Sequence, residues 1–187
     1  MTKTDKPTLR ERLPGDPTKE QLIERFIRVD QAGEYGAVRI YKGQLSVLGA
    51  TSAAPVIRRM AEQEKEHLET FDDLIGKRRA RPTALLPVWH LAGFVLGAGT
   101  ALLGKHAAMA CTVAVEEVID EHYAGQIEQL DAGEEELKEI CETFRRHEVE
   151  HRDIGLEHGA RQAPGYELLT TAIKTGSRLA IWLSERI

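Results

Sequence analysis

Two short segments, Glu64-Lys65-Glu66-His67 and Glu148-Val149-Glu150-His151, decide the fold of this chain. In each segment the first glutamate and the histidine are three positions apart, so a helix presents both side chains on one face. Each segment also follows a lone glutamate on an earlier stretch of helical pattern. Glu34 precedes the first segment by 30 positions, and Glu116 precedes the second by 32. This near-repeat predicts two helical hairpins that face each other.

The carboxylates and imidazoles of this repeat are predicted to bind two metal ions. Two Glu-x-x-His helices facing two helices with one glutamate each is the arrangement of di-iron and di-manganese bundles. Small or apolar neighbours such as Val29, Ala37 and Val113 place the lone glutamates on core faces, where a carboxylate needs a cation or a proton. Ligand sets without thiolate favour iron or manganese over structural zinc. The predicted ligands are Glu34, Glu64, His67, Glu116, Glu148 and His151.

Helical periodicity and chain-breaking residues predict five helices around these motifs. Gly49 ends the first helix, Ser52 is expected to cap the second, and Pro164-Gly165 precedes the last. The expected bounds are about 19–48, 52–77, 105–131, 134–161 and 166–185. The predicted fold is all-α: a ferritin-like four-helix bundle with a long apolar crossover helix and a C-terminal amphipathic helix.

Composition limits the remaining possibilities. The chain has 187 residues and a formal net charge of −5, which suits one domain and argues against nucleic-acid binding. Residues 1–18 are polar and proline-containing, and we expect a flexible N-terminal arm there and a single domain over 19–187. No basic segment followed by an apolar one marks the start for secretion. Cys111 and Cys141 are interpreted as buried apolar side chains in a reducing compartment.

The crossover between the hairpins, residues 82–104, contains no charged residue. It is long enough to span a bilayer as a helix, but spanning would separate the two halves of the metal site. The crossover is therefore either a helix packed on the bundle or one that dips into a single leaflet. Arg78, Arg79 and Arg81 before it, with Trp89 inside it, favour attachment to an anionic membrane surface.

The sequence leaves the finer arrangement of the metal site open. Each Glu-x-x-His helix is expected to give its histidine to one ion. The glutamates that bridge the ions are either Glu34 with Glu148 or Glu64 with Glu116. Asp30 and Asp120 lie one helical turn from a lone glutamate and are candidates for orienting the imidazoles, although surface charge is an equally good interpretation.

Four strings resemble the demethoxyubiquinone hydroxylase family of ubiquinone biosynthesis, and the resemblance extends from about residue 22 to residue 187. They are Arg28-Val-Asp-Gln-Ala-Gly-Glu-Tyr-Gly-Ala37, Gly97-Ala-Gly-Thr-Ala-Leu-Leu-Gly104, Cys111-Thr-Val-Ala-Val-Glu-Glu117 and Asp153-Ile-Gly-Leu156. The resemblance implies a di-iron monooxygenase that uses O2 to hydroxylate the ring of a polyprenyl demethoxyubiquinone. The family's ligand pattern falls on the six predicted ligands without a departure.

The resemblance implies further partners and site residues. Members of the demethoxyubiquinone hydroxylase family take the quinone from a membrane. We therefore expect peripheral attachment to the cytoplasmic face of a bacterial inner membrane, or to the mitochondrial inner membrane in a eukaryote. His122 and Tyr123 are expected to take part in quinone binding and electron delivery. The chain lacks flavin and nucleotide motifs, so NADH or another external reductant is expected to supply electrons. A homo-oligomer and a lipid-binding accessory protein of the ubiquinone pathway are the other expected partners.

Two other functions fit a ferritin-like bundle. One is an oxidase or peroxidase of the rubrerythrin kind, but its usual rubredoxin domain needs paired Cys-x-x-Cys motifs that Cys111 and Cys141 do not supply. The other is an iron-storage protein that assembles into a shell. Storage does not explain an uncharged, glycine-rich crossover, so hydroxylation of a membrane quinone is the preferred hypothesis.

Overall fold

The structure, a computed structural model, describes residues 15–130 and 133–187, and within these ranges it is built from helices without strands. The all-α prediction is confirmed. Of the predicted N-terminal arm, residues 1–14 lie outside the described part of the chain. The helices are α1 (Lys19–Leu48), α2 (Ala54–Arg78), α3 (Leu86–Leu102), α4 (Lys105–Ile127), α5 (Glu135–Glu157) and α6 (Tyr166–Ser184), with a short 3-10 turn at Ala160–Gln162 between the last two.

Helices α1, α2, α4 and α5 form the bundle as two hairpins, α1 with α2 and α4 with α5. Helix α3 lies along α1, and α6 lies along α4. Two apolar clusters fill the two ends of the bundle: one contains Ile57, Met60 and Met109, and the other contains Phe71 and Leu137. The middle of the bundle is left for buried polar side chains.

The first helix forms where the sequence predicts it. Thr18 accepts a hydrogen bond from the backbone nitrogen of Gln21 at 3.2 Å, and the Gln21 side chain accepts one from the Thr18 nitrogen at 2.8 Å. This capping box satisfies two backbone donors that a helix start would otherwise leave unpaired. The helix ends at Leu48, with Gly49 as its cap. The start of α6 at Tyr166 and its end at Ser184 also agree with the prediction within one residue.

The predicted N-cap residue of α2 is wrong. Ala53, rather than Ser52, occupies the cap position and has no side-chain hydrogen bond. Thr51 makes the side-chain hydrogen bonds in this turn: its hydroxyl donates to the Leu48 carbonyl at 2.7 Å and accepts from the Ala53 nitrogen at 3.3 Å. Pro55 lies in the first turn, where a helix does not need its missing N–H.

Helices α4 and α5 are each four residues shorter at their ends than predicted. The backbone nitrogens of Gln129 and Leu130 both donate hydrogen bonds to the Gln126 carbonyl oxygen, at 2.8 and 3.0 Å. This turn ends the helix, and Leu130 packs into the core. The predicted continuation to Asp131 lies outside the described residues. After α5, Gly159 adopts φ 86°, a left-handed conformation that glycine tolerates well, and the chain leaves the helix there.

Helix α3 packs on α1 through glycines. A Cβ added at Gly93 would lie 2.8 Å from the Gly36 carbonyl oxygen, and one at Gly97 would overlap the backbone of Ile40. The absence of side chains therefore lets the two helices approach closely. The opposite face of α3 exposes Leu91 and Val95. Among the residues that the structure describes, no helix has both the length and the apolar character needed to cross a membrane.

Candidate metal centre

The six predicted ligands converge in the middle of the bundle. Glu34 comes from α1, Glu64 and His67 from α2, Glu116 from α4, and Glu148 and His151 from α5. All six are buried, with at most 4% of the side chain exposed. The i, i+3 spacing puts each glutamate and histidine of a motif on one face, and the bundle brings the four inward faces together.

The six side chains divide into two groups of four, in each of which the donor atoms lie within 4.8 Å of one another. One group is Glu34, Glu64, His67 and Glu148, and the other is Glu64, Glu116, Glu148 and His151. Each group has its own histidine, as expected from the sequence. Glu64 and Glu148 belong to both groups, whereas each predicted bridging pair contains only one of these two residues. Helices α2 and α5 bring both motif glutamates to the centre and leave the lone glutamates at its two ends.

The atoms that face the centre have the chemistry of metal donors. The Nδ1 atom of His67 lies 3.1 Å from Oε1 of Glu148, and Nδ1 of His151 lies 2.9 Å from Oε1 of Glu64. These close approaches lack hydrogen-bond geometry, so within the described part of the chain both Nδ1 atoms, both oxygens of Glu64 and Oε1 of Glu148 have no hydrogen bond. Buried polar atoms are usually satisfied. These atoms therefore fit the donor set of bound cations.

Burial and mutual repulsion favour the protonated form of two carboxylates of the metal-free centre, Glu64 and Glu116. Burial, reinforced by the charges of Glu148 and Glu34, raises the pKa of Glu64 well above its ordinary value. Burial also raises the pKa of Glu116, with added repulsion from Glu148 and Glu64. A cation would replace these protons as the compensating charge.

The two imidazoles of the centre also hold protons without metal. Burial opposes this, but close contacts with Glu148 and Glu34 outweigh it and raise the pKa of His67 to about 11. The pKa of His151 is raised in the same way, against burial, by Glu148 and Glu116. Burial favours a high pKa for Glu148, yet contacts from both imidazoles lower it to about 2. Glu148 is therefore the ionised partner of both histidines.

The outer nitrogens of the imidazoles contact residues that the sequence prediction missed. Nε2 of His67 lies 3.0 Å from Nδ1 of His147, and Nε2 of His151 lies 3.0 Å from Oε1 of Gln63. Burial and the nearby charge of His67 lower the pKa of His147, so His147 is a neutral acceptor. Each outer partner stands immediately before a Glu-x-x-His motif and reaches the histidine of the other motif. That shared position was the available signal.

The predicted orienting residues, Asp30 and Asp120, do not contact the imidazoles. Oδ1 of Asp30 accepts from the Gln126 amide at 2.7 Å and lies 3.2 Å from Nε2 of His122. Asp120 pairs with Arg145 at 2.6 Å. The prediction is wrong because Asp30 of α1 and Asp120 of α4 contact His122, Gln126 and Arg145, while Gln63 and His147 contact the outer nitrogens of the two imidazoles.

Two buried tyrosines donate hydrogen bonds to the lone glutamates. The Tyr41 hydroxyl donates to Oε1 of Glu116 at 2.8 Å, and the Tyr123 hydroxyl donates to Oε1 of Glu34. Burial, with the neighbouring carboxylate charges, raises the pKa of both phenols well above the ordinary value, so both remain protonated donors. The sequence analysis singled out Tyr123 and missed Tyr41.

An apolar cavity of about 290 Å³ lies beside the centre, between α1, α3, α4 and α6. Its wall includes Gly33 and Val115, which directly precede Glu34 and Glu116. Trp89 of α3 and Ser184 of α6 lie on the opposite wall, joined by a hydrogen bond of 3.0 Å. The cavity therefore extends from residues adjacent in sequence to two candidate ligands to helices α3 and α6.

Residues 21–184 match the model of the family described as "Ubiquinone biosynthesis protein COQ7". The chain belongs to this family. The resemblance found in the sequence is thereby confirmed, and so is the ferritin-like fold, since an all-helical bundle carries the six-residue centre.

Relatives of this COQ7-family chain carry names that agree with one another. A Rhodospirillum rubrum protein named 3-demethoxyubiquinol 3-hydroxylase is 62% identical over 181 residues, covering 96% of this chain and 85% of that protein. The human NADPH-dependent 3-demethoxyubiquinone 3-hydroxylase, mitochondrial, is 54% identical over 176 residues, or 92% and 81% of the two chains. The Saccharomyces cerevisiae 5-demethoxyubiquinone hydroxylase, mitochondrial, is 44% identical over 183 residues, or 89% and 78%.

The pair His122 and Tyr123 occupies two different environments in this COQ7-family chain. Tyr123 is fully buried and contacts Glu34 directly. His122 keeps 14% of its side chain exposed and contacts Asp30 and Gln126 rather than a candidate ligand. The two rings are 6.4 Å apart, so His122 and Tyr123 together lead from near the surface to the centre.

Proposed function

We propose that this protein is a monooxygenase that hydroxylates the ring of a polyprenyl demethoxyubiquinone at a centre of two iron ions. One observation carries the proposal: two four-donor groups share Glu64 and Glu148 beside an apolar cavity. The names of the bacterial, human and yeast relatives support the same reaction. Storage of iron would give no role to an apolar cavity whose wall lies next to the ligands.

Each candidate ligand has a role in this centre. Glu34 and His67 would hold one ion, Glu116 and His151 the other, and the two motif glutamates would contact both. Oxygen and imidazole donors suit iron, and bound iron would supply the activation of O2. The outer contacts of the imidazoles fix which nitrogen faces inward. Burial of all six side chains keeps water from the reacting atoms.

The cavity fits the head group of a quinone. About 290 Å³ is near the lower end of ligand pockets and accommodates an aromatic ring, but not a whole polyprenyl tail. We therefore place the ring against Gly33 and Val115 and the tail toward α3 and α6. Those helices carry exposed apolar side chains, among them Leu91, Val95 and Trp182.

The exposed apolar side chains support peripheral attachment to a membrane. Those on α3, directly after it, or on α6 are Val88, Leu91, Val95, Leu102, Leu103, Leu168, Leu179 and Trp182. Arg186 stacks on the Trp182 ring at 4.3 Å, and Arg79 and Arg81 are exposed before α3. The eukaryotic relatives are named mitochondrial. We propose attachment to the cytoplasmic face of a bacterial inner membrane or to the mitochondrial inner membrane, with a second copy of the chain and a lipid-binding accessory protein as further partners.

The double substitution Leu91→Glu with Val95→Glu is expected to weaken binding to phosphatidylglycerol-containing vesicles by about tenfold or more. Two carboxylates would have to enter the acyl boundary, and charged residues are strongly disfavoured there. Co-sedimentation with vesicles measures the effect. Ser52→Glu with Gln129→Glu adds the same charge at exposed positions outside α3 and is the control. Unchanged binding of the α3 variant would mean that another surface meets the lipid.

Electrons are proposed to come from an external nicotinamide and to reach the centre through the bound quinone. The human relative is named NADPH-dependent. His122 and Tyr123 are proposed to lie along this route, since Tyr123 contacts Glu34 and the two rings are 6.4 Å apart. The anaerobic rate of iron reduction by nicotinamide, measured with and without quinone, tests the route. Equal rates would argue against it.

The test of the proposed reaction is a turnover assay on the iron-loaded protein. Demethoxyubiquinone, a reduced nicotinamide and isotopically labelled O2 are supplied, and the quinone is analysed by mass spectrometry. We expect one labelled oxygen atom in the ring of the product. Iron-loaded protein that leaves the quinone unchanged, or a product whose new oxygen comes from water, would refute the proposal.

Metal binding is expected to weaken as the pH falls. The raised pKa values of Glu64, Glu116, His67 and His151 mean that these groups hold protons that a metal must displace. Protons therefore compete with the metal, and affinity should drop about tenfold per pH unit for each proton released. Calorimetric titration with Mn²⁺ in phosphate and in Tris, between about pH 6 and pH 8, reports the protons released. A pH-independent affinity with no proton release would contradict the assigned pKa directions.

A further inference from the structure

We propose that Tyr41 and Tyr123 are a matched pair of positioning residues. Each tyrosine fixes the orientation of the lone glutamate at one metal position. This inference rests on the proposed metal centre. Tyr41 of α1 donates to Glu116 of α4, and Tyr123 of α4 donates to Glu34 of α1. The two hydrogen bonds thus cross between the hairpins.

The crossing follows from a repeat in the sequence. Tyr41 stands seven positions after Glu34, and Tyr123 stands seven positions after Glu116. Seven residues are close to two helical turns, so glutamate and tyrosine share one face of each helix. Because α1 and α4 each present both groups inward, the glutamate of one helix meets the tyrosine of the other.

Each hydrogen bond leaves its glutamate with one oxygen for metal. Oε1 of Glu116 and Oε1 of Glu34 accept from the tyrosines, which leaves Oε2 on each for an ion. Glu64 differs, because neither of its oxygens accepts a hydrogen bond from a tyrosine among the described residues. The tyrosines therefore make the lone glutamates end ligands of the centre and leave Glu64 and Glu148 as the shared ones.

Each tyrosine serves one position rather than the whole centre. Tyr41 packs edge-on against His151, with ring centroids 6.2 Å apart, so it contacts both unshared members of that group. Tyr123 packs against Phe71 at 6.5 Å and contacts Glu34, which belongs to the His67 group. Loss of one hydroxyl should therefore weaken one metal position and spare the other.

The test isolates each position before removing a hydroxyl. In a His67→Ala chain, the group that contains Glu116 and His151 remains complete. Adding Tyr41→Phe is expected to weaken Mn²⁺ binding there about tenfold, the usual effect of removing an outer hydrogen bond to a ligand. Adding Tyr123→Phe should leave that affinity unchanged. In a His151→Ala chain, Tyr123→Phe should weaken Mn²⁺ binding and Tyr41→Phe should leave it unchanged. Electron paramagnetic resonance of free Mn²⁺ during titration measures the affinity without turnover.

Tyr35→Phe is the matched control, because Tyr35 lies on α1 and its hydroxyl forms a hydrogen bond of 2.6 Å with Nδ1 of His90, outside the centre. It should leave Mn²⁺ affinity unchanged in both backgrounds. Thermal unfolding identifies any variant that fails to fold. If a Tyr41→Phe variant fails, the Tyr123→Phe variants in the two backgrounds test the inference. A merely structural role would lower the unfolding temperature without selectivity between positions, and that outcome overturns the inference. If the unsubstituted chain binds fewer than two Mn²⁺, the proposed centre itself is wrong.

Discussion

Replacing Glu148 by glutamine is expected to remove both metal ions and abolish hydroxylation. Glu148 belongs to both donor groups, and an amide of the same shape cannot supply its negative charge. Outer partners of metal ligands already contribute 10–100-fold to affinity, so loss of a shared ligand should exceed about 100-fold. Metal analysis of the purified variant and the turnover assay measure the two effects. Circular dichroism should still show a helical fold, because the apolar clusters at the bundle ends are untouched.

Two comparison variants sharpen this prediction. Glu116→Gln changes a ligand that belongs to one group only, so that variant should keep an ion at the His67 position. Glu150→Gln changes an exposed glutamate of the same motif, which pairs with Arg59 at 3.1 Å, and should keep both ions and full activity. If Glu148→Gln retains two ions, Glu148 is not a shared ligand.

Replacing Gly36 by leucine is expected to block the quinone cavity and lower kcat/KM by at least about 100-fold, as misplacement of a substrate by 1 Å can do. Gly36 lines the cavity, and a Cβ added there meets no other described atom within 4 Å. The new side chain therefore enters the cavity without a clash at its base. Leucine is also a better helix former than glycine, so the chain should not lose stability through the helix itself.

The iron content of the Gly36→Leu variant should remain at two, which separates a substrate effect from a metal effect. Gly76→Leu is the matched control: Gly76 is an exposed helical glycine on α2, and a Cβ added there also meets no other described atom within 4 Å. That control should keep its activity. Normal turnover of the Gly36 variant with a long-tailed quinone would place the substrate elsewhere.

The two Glu-x-x-His pairs among the candidate ligands were predictable because their spacing is local. Glutamate and histidine three positions apart share a helix face whatever the rest of the fold does. Apolar periodicity and the breaks at Gly49 and Pro164-Gly165 similarly located the helices. Periodicity does not fix where a helix ends. The end of α5 depends on Gly159, whose left-handed conformation competes with helical periodicity that continues past it.

The sequence by itself determined the all-α fold, the two hairpins and the six candidate ligands, since they follow from helical periodicity, the Glu-x-x-His spacing and the repeat along the chain. Tertiary structure alone decided which glutamates are shared, and it gave the outer contacts to His147 and Gln63 rather than to Asp30 and Asp120. It also revealed the crossed bonds of Tyr41 and Tyr123. The physical reason is rotational: periodicity fixes which residues share a face, whereas packing between helices far apart in sequence fixes how that face is turned toward the others.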